Sequence, residues 1–337
     1  MKLLVTGGAG FIGSNFVRYV LGRHADAHVT TLDSLTYAGN LANLESLRCE
    51  RRHRFLRADV ADAAAVTAAL ADGVDAVVHF AAESHVDRSI SDPAPFLRTN
   101  VIGTGVLLDA ARARRVGRFV HVSTDEVYGS LDSGGCATEG FPLRPTSPYA
   151  ASKAASDLLA LSYARTHGLD VVVTRCSNNF GPFQFPEKLI PLFITNALVD
   201  EPLPLYGDGG NVRDWIHVEG HCAALDAVLR KGQPGEVYNI GAANEWTNRE
   251  LTREILRRLG KSEDLVRCVP DRPAHDRRYA LDWTKLRGET GWVPRRSFAT
   301  ALDETIDWYR TNEPWWRRVK SGEYRRFYDL WYGERLS

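Results

Sequence analysis

The residues best suited to do chemistry include a tyrosine and a lysine in the motif SPYAASK at residues 147–153. Tyr149 and Lys153 stand four positions apart, so on a helix they share one face. Ser147 suits the N-cap of that helix, and Pro148 suits its first turn. An ammonium ion beside a phenol favours the phenolate and lowers a pKa that starts at about 10. The pair therefore predicts a base that removes a hydroxyl proton while hydride leaves for a nicotinamide, although this spacing alone is common.

A second candidate is the acidic pair Asp125 and Glu126. The pair follows Phe119–Thr124, a β-branched run that predicts a buried strand. Ligands of doubly wound sheets bind outside the carboxyl ends of the strands, where this pair would lie. Adjacent carboxyl groups can act as acid and base when their surroundings differ. By itself, the pair fits a solvated acidic turn as well.

The N-terminal glycine motif indicates a dinucleotide site. The predicted strand Lys2–Thr6 runs into GGAGFIG at residues 7–13, and a helical pattern follows over Ser14–Leu21. Such a turn brings free N–H groups and the positive end of the helix dipole to a pyrophosphate. Asp33 stands 20 residues beyond Gly13, where a carboxylate would bind the ribose hydroxyls and repel a 2′-phosphate. This arrangement favours NAD over NADP, whereas an ordinary turn is the alternative interpretation.

These candidates need a sheet to position them, and the chain alternates strand-like runs with helical patterns. Runs that predict strands are Lys2–Thr6, Val29–Asp33, Phe55–Asp59, Ala76–Ala82, Phe119–Thr124, Val171–Arg175 and Glu236–Ile240. Helical patterns occupy Ala63–Leu70, Gly103–Arg115, Asn248–Leu259 and Phe298–Arg310. Alternation of this kind predicts an α/β fold with a doubly wound, Rossmann-type parallel sheet.

A change of pattern near Asn178, where prolines become frequent, predicts a second and smaller lobe. We expect residues 1–180 to form the NAD-binding domain, with chain from about 212–242 crossing back to it. Residues 181–330 should mainly form a C-terminal lobe that binds substrate. Asp59, at the end of the third predicted strand, fits either the adenine pocket or a helix cap.

Composition excludes several classes of protein. The 337 residues carry a formal net charge of zero, so no broad basic surface for nucleic acid is implied. No apolar run is long enough to span a membrane, and the chain starts directly with a strand and not with a signal peptide. The five cysteines are scattered, without CxxC or metal-ligand spacing. We therefore expect free thiols, no metal and a cytoplasmic location.

Taken together, the motifs resemble the extended short-chain dehydrogenase/reductase superfamily and, within it, the dTDP-glucose 4,6-dehydratase family. Stretches from both lobes carry this resemblance: HFAAESHVDRS at 79–89, STDEVYG at 123–129, SNNFGP at 177–182, KLIPL at 188–192, RDW at 213–215 and DRPAHDRRY at 271–279. The triplet Thr124-Asp125-Glu126 is the most specific. Related 4-epimerases lack the carboxylate pair, and GDP-mannose dehydratases and UDP-glucuronate decarboxylases typically have serine at the position of Asp125.

The resemblance implies a set of residues that hold NAD. This set comprises Gly7, Gly10, Phe11, Ile12, Gly13, Asp33, Ser34, Leu35, Thr36, Asp59, Val60, Phe80, Ala81, Ala82, Ser84, Thr99, Tyr149, Lys153 and Asn179. NAD should stay tightly bound, because it would be reduced and reoxidised within each turnover.

The resemblance also implies catalytic and substrate-binding residues. The catalytic set is Thr124, Asp125, Glu126, Tyr149 and Lys153. The substrate set is Ser84, Thr124, Asn178, Lys188, Leu189, Pro204, Leu205, Tyr206, Arg213, Asn248, Asp271, Arg272, Pro273, Ala274 and His275. Arg213 and Arg272 suit a diphosphate, although surface salt bridges are the alternative without the resemblance. The chain departs from the family pattern at Ala274, where glycine is usual, at Phe180 (tyrosine) and at Gly220 (aspartate). Ala274 adds one methyl group beside the site where the resemblance implies that the nucleotide base binds.

The implied reaction converts dTDP-glucose to its 4-keto-6-deoxy product by oxidation at C4, loss of water across C5 and C6, and return of hydride to C6. Another NAD-dependent dehydratase, an epimerase or a decarboxylase on the same scaffold is the first alternative. A non-catalytic, NAD-sensing protein is a distant second, since it would be expected to lose Tyr149 or Lys153. The superfamily resemblance also implies a homodimer, built from the helices around Gly103–Arg115 and Pro148–Tyr163.

Overall fold

The computed structural model of the protein describes residues 1–131, 134–321 and 323–336. Its strands are β1 (Lys2–Thr6), β2 (His28–Asp33), β3 (His53–Arg57), β4 (Ala76–His79), β5 (Arg118–Thr124), β6 (Val171–Cys176), β7 (Asn178–Phe180), β8 (Leu203–Tyr206), β9 (Val212–His217), β10 (Val237–Ile240), β11 (Glu245–Thr247) and β12 (Val266–Val269).

Helices account for much of the remaining described chain. They are α1 (Phe11–Arg23), α2 (Ala63–Ala69), α3 (Val86–Ser91), α4 (Ala94–Phe96), α5 (Thr104–Ala113), α6 (Pro148–His167), α7 (Leu189–Leu198), α8 (Val218–Lys231), α9 (Asn248–Leu259), α10 (Thr284–Thr290), α11 (Phe298–Thr311), α12 (Glu313–Val319) and α13 (Glu323–Leu336). A π-helical segment at Leu97–Gly103 precedes α5, and a short 3₁₀ turn at Asp125–Tyr128 follows β5.

Seven of the strands form one parallel sheet in the order β3-β2-β1-β4-β5-β6-β10. The central strands are apolar on both faces because helices cover both. Phe16 of α1 and Leu225 of α8 pack on one face, whereas Leu107 of α5 and Ala160 of α6 pack on the other. The chain order reverses between β1 and β4, which is where a doubly wound sheet opens a crevice at its carboxyl edge. The predicted fold class is therefore confirmed.

The second lobe has its own core and two small sheets. Residues of α7, α9 and α11, among them Phe193, Ile255 and Leu302, pack together with Trp316 of α12. β8 pairs with β12, while β9 lies between β7 and β11 in a three-stranded sheet. The chain therefore returns to the large lobe with α8 and β10, whereas β9, at residues 212–217, belongs to a different sheet.

The described residues contain no helix that is long and apolar enough to cross a membrane. All five cysteines are free thiols.

Candidate active site

A cleft of about 410 Å³ lies between the two lobes, at the carboxyl ends of the parallel strands. Residues of both lobes line it, from the glycine turn after β1 to Tyr332 of α13. Most of the predicted site residues therefore meet in this cleft. It lies at the edge of the sheet where the strand order reverses, which is where doubly wound folds bind their ligands.

The glycine turn requires glycine because other backbone atoms lie too close to leave room for a side chain. Gly7 has a φ of +68°, and a Cβ there would lie 2.6 Å from the backbone nitrogen of Ala81. A Cβ on Gly13 would collide with the carbonyl oxygen of Gly7. Gly10 is the N-cap of α1, and no side chain of the described residues caps this helix end. The N–H groups of the first turn of α1 therefore remain available to an anion.

Asp33 is held at the end of β2 by two backbone donors. The N–H of Ala9 donates to Oδ2 at 2.9 Å, and the N–H of Leu35 donates to Oδ1 at 2.8 Å. Burial raises the pKa of Asp33, and the two N–H groups oppose that effect. The carboxylate lines the cleft with lone pairs still available to ribose hydroxyls. Leu35 itself, with a φ of +57°, does not line the cleft.

Asp59 also lines the cleft, and it is not the N-cap of α2. The cap is Asp62, whose carboxylate accepts from the N–H groups of Ala64 and Ala65. Asp59 instead accepts from the backbone of Ala61 and from Arg98, both at 2.8 Å. The helix-cap interpretation of Asp59 is therefore wrong.

The carboxyl groups of Asp125 and Glu126 lie in different surroundings at the end of β5. Asp125 is 3% exposed, and its Oδ2 is buried without a hydrogen-bond partner among the described residues. Burial raises the pKa of Asp125 well above its ordinary value, and Glu126 raises it further. Burial also raises the pKa of Glu126, but Arg272, Lys188 and Arg213 oppose it. The pair therefore favours a protonated Asp125 beside a carboxylate that cations stabilise.

The Tyr149–Lys153 helix is built as its sequence predicts. The Ser147 hydroxyl caps α6 by accepting from the N–H of Ala150 at 3.1 Å, and Pro148 occupies the first turn. Both Tyr149 and Lys153 are buried and line the cleft. Residues of α6 thus place a phenol and an amine beside the end of β5.

The electrostatics of Tyr149 differ from the expectation. Burial raises the pKa of Tyr149 well above 10, and Glu126 and Cys176 raise it further. Lys153 donates through Nζ to the carbonyl of Val122 at 2.8 Å, and burial lowers the pKa of Lys153 to about 8. The pKa of the phenol is therefore raised and not lowered as expected, because burial dominates it and Glu126 and Cys176 add to that effect.

Arg213 places a buried positive charge in the cleft. Its guanidinium donates to the carbonyls of Val212 at 2.8 Å and of Asp276 at 2.9 Å, and lies over the ring of Tyr279 at 4.3 Å. No carboxylate of the described residues forms an ion pair with it. A buried guanidinium without a direct ion-pair partner suits an anionic ligand. The surface salt-bridge interpretation is therefore wrong for Arg213, and also for Arg272, whose partner Asp87 is buried.

Most of the other predicted binding residues line the same cleft, and four do not. Those outside its lining are Leu35, Asp271, Pro273 and Ala274. Asp271 instead makes contacts within its own loop. Its Oδ1 lies 2.6 Å from Nδ1 of His275 and accepts a hydrogen bond from the backbone N–H of Arg272 at 2.9 Å. Ala274 has a φ of +53°, which explains why glycine suits this position.

Some lining residues were not predicted. Asp87 and Glu187 lie within or beside the stretches that carry the resemblance, yet nothing in their spacing marks them as site residues. Burial raises the pKa of Glu187 to about 7, against the effect of Lys188. Tyr332 reaches the cleft from α13, a tertiary contact without any local signal. No group of three or more potential metal ligands occurs among the described residues.

Comparisons with known proteins point to one family. A family model described as GDP-mannose 4,6 dehydratase matches residues 4–305. The dTDP-glucose 4,6-dehydratase of Streptomyces niveus is 56% identical over 325 residues, which cover 95% of this chain and 96% of that relative. The crystal structure of DesIV, a dTDP-glucose 4,6-dehydratase from Streptomyces venezuelae with NAD and dTDP bound, has 56% identity and a TM-score of 0.93, covering 95% of this chain and 100% of that one.

Epimerases are similar at lower identity. The UDP-glucose 4-epimerase of Thermus thermophilus, solved as a complex with NAD, is 34% identical with a TM-score of 0.86. The match covers 93% of this chain and 100% of the epimerase chain. The scaffold is thus shared with epimerases, whereas the sequence is closer to the two dehydratases.

Proposed function

The chain belongs to the dTDP-glucose 4,6-dehydratase family, within the wider family described as GDP-mannose 4,6 dehydratase, and we propose that it is an NAD-dependent enzyme that dehydrates dTDP-glucose to the 4-keto-6-deoxy sugar nucleotide. The observation that carries the proposal is the pair formed by the buried Asp125 and the half-buried Glu126 in the cleft. Burial raises the pKa of both carboxyl groups, and Arg272 and Lys188 oppose that rise at Glu126. Elimination of water needs an acid and a base at the same moment, and such a pair supplies both.

The residues of the cleft fit NAD. The open N-terminus of α1 suits its pyrophosphate, and Asp33 suits its adenosine ribose. NAD, when bound, supplies the acceptor for hydride from C4 of the hexose and later returns that hydride to C6. The net reaction involves no external reductant, so the cofactor can remain in place through every cycle.

Tyr149 takes the proton of the hexose 4-hydroxyl as C4 is oxidised. Its hydrogen bond with Thr124 lowers the phenol pKa, against the effect of burial. Thr124 ends β5 beside both carboxyl groups, and its hydroxyl donates to Asp125 at 3.2 Å. Lys153 is fixed to the same strand through Val122, so a single strand and a single helix hold the reacting groups in register.

Glu126 and Asp125 then carry out the elimination. The 4-ketone acidifies the hydrogen on C5, and Glu126 takes that proton. Asp125 gives its proton to the departing 6-hydroxyl, so water leaves and a C5–C6 double bond forms. Return of hydride to C6 and of a proton to C5 completes the product. Burial keeps Asp125 protonated, and the nearby cations favour an ionised Glu126, as these roles require.

The nucleotide diphosphate would occupy the positive part of the cleft. Arg213 offers a buried guanidinium without a carboxylate partner among the described residues, and Arg272 and Lys188 line the same cavity. Lys188 is oriented by donation of a hydrogen bond from Nζ to the carbonyl of Ser84 at 2.9 Å. Arginine and lysine together suit the doubly charged diphosphate.

A direct assay tests the proposal. The purified protein should release NAD on denaturation, and should convert dTDP-glucose to a 4-keto-6-deoxy product without added reductant, as identified by mass spectrometry and NMR. UDP-glucose, assayed in parallel, measures the preference for thymidine. A product that keeps its 6-hydroxyl would contradict the dehydratase assignment and favour an epimerase.

A homodimer and a cytoplasmic location are part of the proposal. The helices α5 and α6 form a common surface, and Tyr163 of α6 donates to Asp109 of α5 at 2.9 Å. Leu158 of α6, and Leu97 and Ile102 of the π-helical segment that packs against α6, are each more than half exposed. A second copy of the chain would cover them. The five free thiols support a reducing compartment.

A further inference from the structure

Asp87 joins the two lobes across the cleft. It is the second residue of α3, in the large lobe, and is only 3% exposed. Its Oδ1 accepts a hydrogen bond from Nη1 of Arg272 at 2.9 Å, and its Oδ2 accepts from the hydroxyl of Tyr206 at 3.0 Å. Both partners belong to the smaller lobe, and all three side chains line the cleft.

The contact leaves part of the Arg272 guanidinium available. Nη1 is held by Asp87, whereas Nε is buried and has no hydrogen-bond partner among the described residues. A guanidinium is a rigid planar fork, so an anchor on one nitrogen fixes the direction of the others. Buried N–H groups without acceptors are rare in native proteins, and a site for an anionic ligand explains them.

Tyr206 extends the connection to the C-terminal helix. Its hydroxyl lies 3.1 Å from the hydroxyl of Tyr332 and accepts from Nε1 of Trp331 at 2.6 Å. Asp87 is therefore the buried acceptor at the centre of a network that includes α3, the end of β8, the 271–279 loop and α13. Such a network favours one geometry of the substrate pocket over others.

We propose that Asp87 is a positioning residue, which fixes the guanidinium of Arg272 in the orientation that binds the diphosphate of the sugar nucleotide. The inference rests on the proposed function, since it names the anion. A carboxylate near a diphosphate would repel it unless its charge were matched, and the ion pair with Arg272 provides that match. Arg213 and Lys188 supply further positive charge in the cleft.

A double-mutant cycle on the NAD-loaded protein tests this role, with dTDP affinity measured by calorimetry. Asp87→Ala should weaken dTDP binding about ten- to a hundredfold, the usual range for loss of a charge-assisted hydrogen bond. In the Arg272→Ala background the same substitution should cause no further loss, because Asp87 acts through Arg272. Asp87→Asn, which keeps an acceptor for Nη1, should recover most of the affinity. With dTDP-glucose, KM should change much more than kcat.

Matched controls separate this role from a general effect on folding. Asp226→Asn alters a buried carboxylate that pairs with His24 and Arg230 and does not line the cleft, and it should leave dTDP affinity unchanged. An equal loss from Asp87→Ala in both backgrounds, or no loss in either, would overturn the inference. Failure of the wild-type protein to bind dTDP would instead overturn the proposed function.

Discussion

The ammonium group of Lys153 donates a hydrogen bond to the backbone carbonyl of Val122, at 2.8 Å, and so ties α6 to β5. This strand ends at Thr124, and the same helix carries Tyr149. The tie explains how Thr124 and Tyr149, 25 residues apart in the chain, are held together. Burial, and not the charge of Lys153, dominates the pKa of Tyr149.

We predict that Tyr149→Phe abolishes most turnover and leaves NAD binding intact. The ring keeps its contact with Phe96, and only the ionisable hydroxyl is lost. Loss of a general base typically costs about 10²–10⁴-fold in rate. The measurements are NADH formation in a single turnover and the NAD content of the purified variant.

A matched control is Tyr238→Phe, which removes a hydroxyl that contacts Glu289 outside the cleft. It should turn over dTDP-glucose at the wild-type rate. Near-normal turnover by Tyr149→Phe would show that another group is the base.

Local patterns predicted the large sheet because most of its strands are short runs with β-branched residues that alternate with helices, although β3 (His53–Arg57) contains no β-branched residue. β1 and α9 have the predicted bounds, and α9 is delimited by a capping box between Thr247 and Glu250. The small sheets were not predicted, since three- and four-residue strands such as β7 and β12 carry no periodicity. Likewise, the position of Tyr332 in the cleft depends on how α13 packs, which local sequence does not encode.

Charge states were harder to predict than positions. The spacing of Tyr149 and Lys153 placed both groups at the cleft, but their pKa values depend on burial and on acids that are distant in sequence. The different surroundings of Asp125 and Glu126 depend on Arg213 and Arg272, which come from the other lobe. Sequence gives the identity of such groups, whereas packing decides their protonation.

We predict that Ala274→Gly stabilises the protein. Ala274 has a φ of +53°, and this left-handed conformation costs a non-glycine residue about 1–2 kcal/mol. Glycine also makes the unfolded chain more flexible, which lowers the free energy of unfolding by about 0.4–1 kcal/mol. The net increase in the free energy of unfolding is therefore about 0.5–1 kcal/mol. Urea unfolding of the two proteins measures the difference.

The control for this change is Ala68→Gly, an exposed position in α2 with ordinary helical geometry. There the substitution should destabilise the protein by about 0.5–1 kcal/mol. Destabilisation by Ala274→Gly as well would mean that backbone strain at residue 274 is negligible.

We predict that Leu158→Lys converts a dimer into a monomer. Leu158 is 59% exposed on α6, and a lysine buried there between two copies of the chain would lack a partner. Light scattering at micromolar protein concentration measures the change. Val293→Lys, at an exposed apolar site outside α5 and α6, should remain dimeric. A wild-type monomer under the same conditions would contradict the proposed assembly.

We predict that Asp125→Asn is more stable than the wild type at neutral pH, by a margin that grows as the pH rises. The pKa of Asp125 is raised in the folded state, so its contribution to stability is fully present below about pH 3.9 and is lost towards the higher folded pKa. An asparagine at this position does not ionise, so it does not lose stability in this way as the pH rises. Each unit of pKa difference corresponds to about 1.36 kcal/mol, and urea unfolding at pH 5, 6.5 and 8 measures the trend.

Asp208→Asn provides the opposite case. Its hydrogen bonds with Arg277 lower the pKa of Asp208 to about 2, so its contribution is present above about pH 3.9 and is lost only as the pH falls towards 2. The difference between Asp208→Asn and wild type should therefore be constant between pH 5 and 8. A constant difference for Asp125→Asn would show that its carboxyl group ionises normally.

Finally, replacing Asp125 or Glu126 by its amide should block a different step of the reaction in each case. Asp125→Asn keeps the shape of the side chain but removes the acidic proton, so C4 oxidation and exchange at C5 should continue while loss of water stops. Glu126→Gln should also allow C4 oxidation, yet it should lose exchange at C5, because no base remains to take that proton. Each defect should amount to about 10²–10⁴-fold in the affected step.

Single turnover of dTDP-glucose in deuterated water separates the two defects. Absorbance of NADH reports C4 oxidation, and NMR of the recovered sugar reports deuterium at C5. If Glu126→Gln exchanges the C5 hydrogen as fast as wild type, Glu126 is not the base. If both variants dehydrate normally, the carboxyl pair is structural and the acid and base must be sought among other cleft residues, of which Glu187, with a pKa of about 7, would be the first to test.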